Sequence, residues 1–232
     1  MPDRRCTSEK EEKYEFPGSR WHEMEAFRCR HGAERHSHRR RRVGLAQGAL
    51  AASFSVSGQE FKVTAAELNG ENFVQYGSIA TEDGADPPAK EGKAHAVAVS
   101  GFSHATITKM CQSVVTPPNL PFGLGSVTLR LTAGDPKDTD KKVDATGLYL
   151  DVSDLQGDAE FGNIDIGVRT GDLKNPGVQP NGGKFVNPNG FAQRAETAKL
   201  TNVKQRAWAT TAGTFKLPGL HLGLSKGVNE CY

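Results

Sequence analysis

The chain has 232 residues and a formal net charge of +2, from 29 Lys/Arg against 27 Asp/Glu. Residues 1–42 hold 12 Lys/Arg and 8 Asp/Glu, which leaves 17 against 19 for the rest. The part long enough to fold is therefore not basic, which excludes a nucleic-acid partner held by clustered cations, and no run of about 18 apolar residues is present to make a transmembrane helix.

Residues 1–51 read as a leader. Cys6, Cys29, His22, His31, His36, His38 and the run Arg39–Arg42 all lie within it. Cys29 with His31, His36 and His38 offers zinc-binding chemistry, but the distance from Cys6 to Cys29 is far from the C-x₂₋₄-C of a structural site. A disordered basic arm is the expectation, with no metal and no cofactor. Four adjacent guanidiniums make a strong local potential, and a solvated charge run is the plain reading of them. The small-residue stretch Val43–Phe54, with Ala49-Leu50-Ala51 in an A-x-A arrangement, has the form of the cleavage end of a secretory signal peptide. Arg/His-rich sequence from Phe27 to Arg42 stands where the apolar core of that peptide belongs. Alanine codons read one base out of register in GC-rich DNA become arginine codons, so a frame-shifted signal peptide explains the leader. An uninterrupted native reading frame through Arg39–Arg42 would exclude it.

Residues 52–232 read as one secreted β-rich domain, long enough to bury a core without metals. Ser53–Thr64 alternates Phe54, Val56, Phe61 and Val63 across Ser57–Glu60, the pattern of a hairpin. Asn69-Gly70 is a turn signal, with a strand expected near Phe73–Ile79. Thr81–Gly92 is a Pro/Gly loop, and Val97 and Val99 begin the next strand. Ala105–Val115, rich in β-branched residues, continues as another. Pro117–Gly123 cannot be a central strand, because proline lacks the ladder donor. Val127–Thr132 resumes with Val127, Leu129 and Leu131 on one face; Leu148, Leu150 and Val152 alternate, then Ile164, Ile166 and Val168. Gly171–Gly190 reads as a long surface loop, Ala192–Ala198 as the one short helix, and strands return from Leu200 to Leu224. With no longer helices between strands, the fold is all-β, a sandwich or barrel-like single domain. Glu67–Glu71 and Asp154–Asp158 echo each other in residue type, each with a phenylalanine following, and keep a β-solenoid as the alternative.

Cys111 and Cys231 are the two cysteines of residues 52–232. In an oxidising compartment such a pair is expected to form a disulfide; the rival is a catalytic cysteine with a histidine partner. The nearest nucleophile elbow is Gly101-Phe102-Ser103-His104-Ala105, where small neighbours would lift the Ser103 hydroxyl out of the fold. Alanine replaces the last glycine, and no helix follows. Ser103, Asp165 and His221 occur in the order of an α/β-hydrolase triad, which makes them the candidate nucleophile, orienting carboxylate and base. Surface residues are the plainer reading of all three. Leu120–Leu124 and Leu217–Leu220 are apolar, Pro/Gly-punctuated segments that would suit a rim at a lipid–water interface.

Val43–Ser57, Met110–Val115, Val127–Ala133 and Phe161–Gly167 resemble a group of small secreted actinobacterial proteins that includes the streptomycete cholesterol esterase. The likeness covers most of residues 43–232 and departs from the group in the leader, where its members have an apolar segment. It implies secretion and hydrolysis of sterol fatty-acid esters, with a sterol ester or another apolar lipid as partner. It transfers no catalytic residue. The rival expectation is a non-catalytic lipid-binding or cell-envelope β-protein.

Overall fold

Among the described residues, nine antiparallel strands follow one another: β1 (Phe61–Thr81), β2 (Ala94–Thr108), β3 (Met110–Val115), β4 (Val127–Ala133), β5 (Val143–Gly162), β6 (Asp165–Arg169), β7 (Phe191–Thr211), β8 (Thr214–Lys216) and β9 (His221–Lys226). The computed structural model describes residues 57–82, 93–116, 125–134, 138, 141–180 and 185–232. The expected leader and the Pro117–Gly123 segment lie outside them. A 3-10 turn spans Thr170–Asp172, and no α-helix occurs among the described residues.

The ladders β1–β2, β2–β5, β5–β7 and β7–β1 close a ring within one sheet. Followed once round, Gly77 lies opposite Ala98, Ala98 opposite Val152, Val152 opposite Ala207 and Ala207 opposite Phe61. The path returns to β1 16 residues from where it left, at Phe61 instead of Gly77. Stagger and tilt are linked in a closed sheet, so these strands run steeply round the ring. Four strands suffice because β1, β5 and β7 are 20 or 21 residues long, against the usual five or six or so. The closure is partial. β5 leaves β2 at Val152, and its residues 154–162 pair with β7 alone.

Beyond the ring, β3 continues the β2 ladder on β1 in the same register, with Lys109 between them. β4 pairs with β3 and β9 with β4, which makes a three-stranded extension. β8 carries the β7 ladder further along β5.

Consecutive side chains of a strand point to opposite faces, and the two buried clusters obey this. Phe73, Phe102, Leu148 and Leu150 belong to the inner cluster. Their chain neighbours Val74 and Tyr149 belong to an outer one, with Tyr76, Val99 and Leu173. Leu173, Val178 and Val186, from the segment after the 3-10 turn, cover the outer cluster. Tyr76 Oη accepts the Gln179 N–H at 2.7 Å, and Tyr149 Oη donates to the Gly177 carbonyl at 3.2 Å. The expected surface loop is thus a cover for one face of the sheet.

The all-β, barrel-like expectation holds, and every pairing is antiparallel, which removes the solenoid. The echoing segments run mid-strand in β1 and β5 and flank β7, where Leu68 and Ala159 both lie opposite Leu200. Their following phenylalanines, Phe73 and Phe161, meet with ring centroids 5.1 Å apart. Three local expectations are corrected. Asn69-Gly70 is no turn: both residues sit inside β1, and a Cβ on Gly70 would overlap the Phe102 ring. Glycine here makes room for an aromatic face. Ala192–Ala198 is no helix but the start of β7, hydrogen-bonded to β1 on one edge and β6 on the other. Its buried Ala192, Ala195 and Ala198 repeat every third residue, which mimics a helical stripe. The strand expected through Phe161–Val168 is split at Asn163, whose φ of 55° ends β5. For the Ser53–Thr64 hairpin, the first arm lies outside the described residues.

Candidate functional site

The ring encloses a cavity of about 230 Å³. Leu68, Phe73, Phe102, Leu150, Phe161 and Leu200 supply its apolar wall, and Gln75, Ser100 and Gln205 supply polar groups. A smaller space of about 30 Å³ shares Leu68, Leu150, Val203 and Gln205 with it and reaches toward Met110 and Phe215. The wall forms because positive-φ asparagines re-phase the strands. Leu68 and Phe73 both join the inner cluster although five positions apart, and Asn72 at φ 52° absorbs the odd step.

Polar groups inside such a cavity need partners. Gln193 Nε2 donates to Gln75 Oε1 at 2.6 Å, and Gln75 Nε2 donates to Ser100 Oγ at 3.0 Å. Ser100 and Gln205 are buried. Leu155, 39% exposed, lines the cavity from the part of β5 that β2 has left. The cavity therefore meets the surface where the ring is incomplete. An apolar wall with a few fixed amide and hydroxyl groups suits an apolar ligand carrying one polar end. The sequence carried a signal for this site. Gln75 lies between Val74 and Tyr76, and Gln205 follows Val203 on the same face; polar residues at strand core positions call for a partner.

The candidate triad is distributed over three strands. Ser103 sits within β2, where its hydroxyl donates to the Glu71 carbonyl at 3.1 Å and accepts the Asn72 amide at 2.8 Å. Those two bonds brace the β1 irregularity at Asn72. Asp165 begins β6 and accepts Arg194 Nε at 2.9 Å. His221 begins β9 opposite Thr132. In sheet order, β5 and β7 separate β2 from β6, and β9 is at the far end. No hydrogen bond joins any two of the three among the described residues. The histidine beside Ser103 is engaged elsewhere: His104 Nε2 meets Asp144 Oδ2 at 2.8 Å, and Nδ1 lies 3.7 Å from Glu71 Oε1. The Asp144 hydrogen bond holds His104 above the ordinary imidazole range, against opposing desolvation. Both ring nitrogens face carboxylates, so neither is placed to take the Ser103 proton.

Cys111 and Cys231 form a disulfide with Cα atoms 5.9 Å apart, so a catalytic thiol is excluded for this pair. Asp151 lies between Leu150 and Val152 on β5, where the alternation alone marks it as an ordinary outward-facing carboxylate. It is 7% exposed, and its Oδ1 has no hydrogen-bond partner. Desolvation pushes its carboxyl up to about 6.

Residues 57–232 match the model of a family described as a family of unknown function, DUF6230. Neither a curated protein nor a solved structure matches the chain.

Proposed function

The chain belongs to the DUF6230 family of unknown function, and we propose that it is a secreted β-protein that holds the apolar chain of a lipid inside its ring. The observation that carries this reading is the cavity of about 230 Å³, apolar but for Gln75, Ser100 and Gln205. Pockets that enclose drug-sized ligands run to roughly 300–1,000 Å³, so the volume favours an acyl chain over a sterol nucleus. Burial of each methylene would contribute about 0.8 kcal/mol, and the amide–hydroxyl chain supplies donors for a carboxyl or ester end. The Cys111–Cys231 disulfide supports an extracellular location, where such bonds persist.

The test is a titration of the purified full-length chain with a dansyl-labelled fatty acid, with palmitate as competitor. Saturable binding is expected, and Ala159→Leu, which fills the cavity beside Leu155, should abolish it without lowering the thermal midpoint. Binding that survives Ala159→Leu unchanged, or no saturable binding in the folded parent, would overturn the reading.

A second reading, hydrolysis of sterol fatty-acid esters through Ser103, is supported by the resemblance at Met110–Val115, Val127–Ala133 and Phe161–Gly167 to the cholesterol-esterase group. It requires the Ser103 hydroxyl to leave the Glu71 carbonyl and find a base. Covalent labelling by a fluorophosphonate, lost in Ser103→Ala, is its expected signature. An unlabelled, folded parent would remove it.

A further inference from the structure

A cavity of about 690 Å³ lies outside the ring, between the β3–β4 ladder and Pro218-Gly219. Cys111 faces it, while the next residue, Gln112, faces the small space inside the ring. The two spaces are thus on opposite faces of β3, and the lipid-chain reading makes no use of this one.

Its described lining carries three cations, Lys109, Arg130 and Lys141, and no carboxylate side chain. Lys141 is bridged to Asp138 at 3.0 Å. The other two have no carboxylate partner among the described residues. Lys109 separates β2 from β3 with a φ of 53°, an uncommon conformation for a residue with a Cβ. Such breaks in a ladder re-aim a side chain. Arg130 Nε donates to Cys111 Sγ at 3.2 Å. This anchors the guanidinium on a disulfide-fixed sulfur and leaves its two terminal NH₂ groups for an acceptor in the cleft. Thr64 and Thr132 also line it. Like charges converging on one concavity raise the local concentration of anions.

We propose that this cleft binds a phosphate-type anion, with the Arg130 fork on two oxygens and the Lys109 ammonium on a third. The guanidinium plane matches two oxygens of a tetrahedral anion, and the ammonium acts as a point charge beside them. The anion is either a free phosphate or the headgroup of an anionic phospholipid.

Calorimetric titration of the oxidised full-length chain with sodium phosphate, against sodium chloride at equal ionic strength, distinguishes binding from screening. Co-sedimentation with vesicles of phosphatidylglycerol in phosphatidylcholine, against phosphatidylcholine alone, tests the headgroup. Binding in either arm is expected to weaken tenfold or more in Arg130→Gln and in Lys109→Asn. Asparagine tolerates the left-handed backbone, so Lys109→Asn carries the test if Arg130→Gln does not fold. Saturation by phosphate assigns a free anion; saturation by phosphatidylglycerol vesicles alone assigns a headgroup. A response equalled by chloride, binding undiminished in both folded variants, or no binding in either arm would overturn the proposal.

Discussion

The ring and its β3–β4–β9 extension use the same strand chemistry, yet different forces hold them. In the ring, Phe102 and Leu148 are fully buried within a cluster drawn mainly from β1, β2, β5 and β7, to which the extension adds only Met110 and Ala133 at its root. In the extension, Leu222 and Leu224 remain 57% and 73% exposed. Hydroxyls and one covalent bond do the tying there. Thr128 Oγ1 donates to the Gly227 carbonyl at 2.7 Å and accepts the Asn229 N–H at 2.9 Å. Ser113 Oγ accepts the Cys231 N–H at 3.0 Å beside the disulfide. Both hydroxyl residues are buried. A sheet edge that buries little apolar area needs directional bonds to fix it, because water competes for every exposed contact.

The difference is sharpest at Phe102. Phe102→Ala is expected to destabilise the protein by about 3–5 kcal/mol in urea unfolding, from lost transfer energy plus a cavity. Gly70→Ala should also be costly, because the new methyl overlaps the Phe102 ring. Combined, the two should cost clearly less than their sum, since removal of the ring relieves the overlap. Additive costs would mean that Gly70 is required for some other reason.

Removal of the disulfide by Cys111→Ser with Cys231→Ser tests the extension. The loss should be about 2–5 kcal/mol, and amide exchange should locate it. β4 and β9 should lose protection while β1 and β2 keep theirs. Equal loss of protection in all four would show that the ring and the extension unfold as one unit.

Much of this was legible in the sequence. The alternation Leu148, Leu150, Val152 marks the inner face of β5 correctly, and the paired cysteines and the all-β class follow from composition and compartment. Part of what failed lies in period-two reading, which assumes an unbroken strand. Asn72 and Asn202, at φ 52° and 54°, insert odd steps into β1 and β7. The buried alanines Ala192, Ala195 and Ala198 recur every third residue and so read as a helix. The Ile164–Ile166 pair was expected on an apolar face, yet Ile166 is 67% exposed, on the short β6 that only β7 supports. Asn69-Gly70 has turn chemistry locally, and only the distant Phe102 ring explains the glycine. The cavity was harder to foresee, because its polar wall brings Gln75, Ser100 and Gln205 together from three strands.

Asp151 is the ring's own exception, a buried carboxyl with an unpartnered oxygen in the region otherwise held by apolar contact. Its carboxyl is raised to about 6, chiefly by desolvation, from an ordinary value of 3.8. The folded state therefore binds more protons than the unfolded chain between those two values, and stability from this group falls as pH rises through that window. The loss is about 2–3 kcal/mol at about 1.4 kcal/mol per unit. Asp151→Asn should flatten unfolding free energy between pH 4 and 6 relative to the parent. An unchanged profile would mean that the carboxylate finds a partner in solution.

At the other extreme stands Leu224. It is the most exposed large apolar side chain of the sheet and lies on its terminal strand, opposite Leu129. If the extension is held by the Thr128 and Ser113 hydroxyls and the disulfide, Leu224→Ser should change unfolding stability by less than about 0.5 kcal/mol. The same substitution in the ring, Leu148→Ser, places a hydroxyl at a fully buried position and should cost several times more. Equal costs at both positions, measured by chemical denaturation of the oxidised protein, would collapse the distinction between the regions. Leu224 would then be buried in solution against some surface the isolated chain lacks.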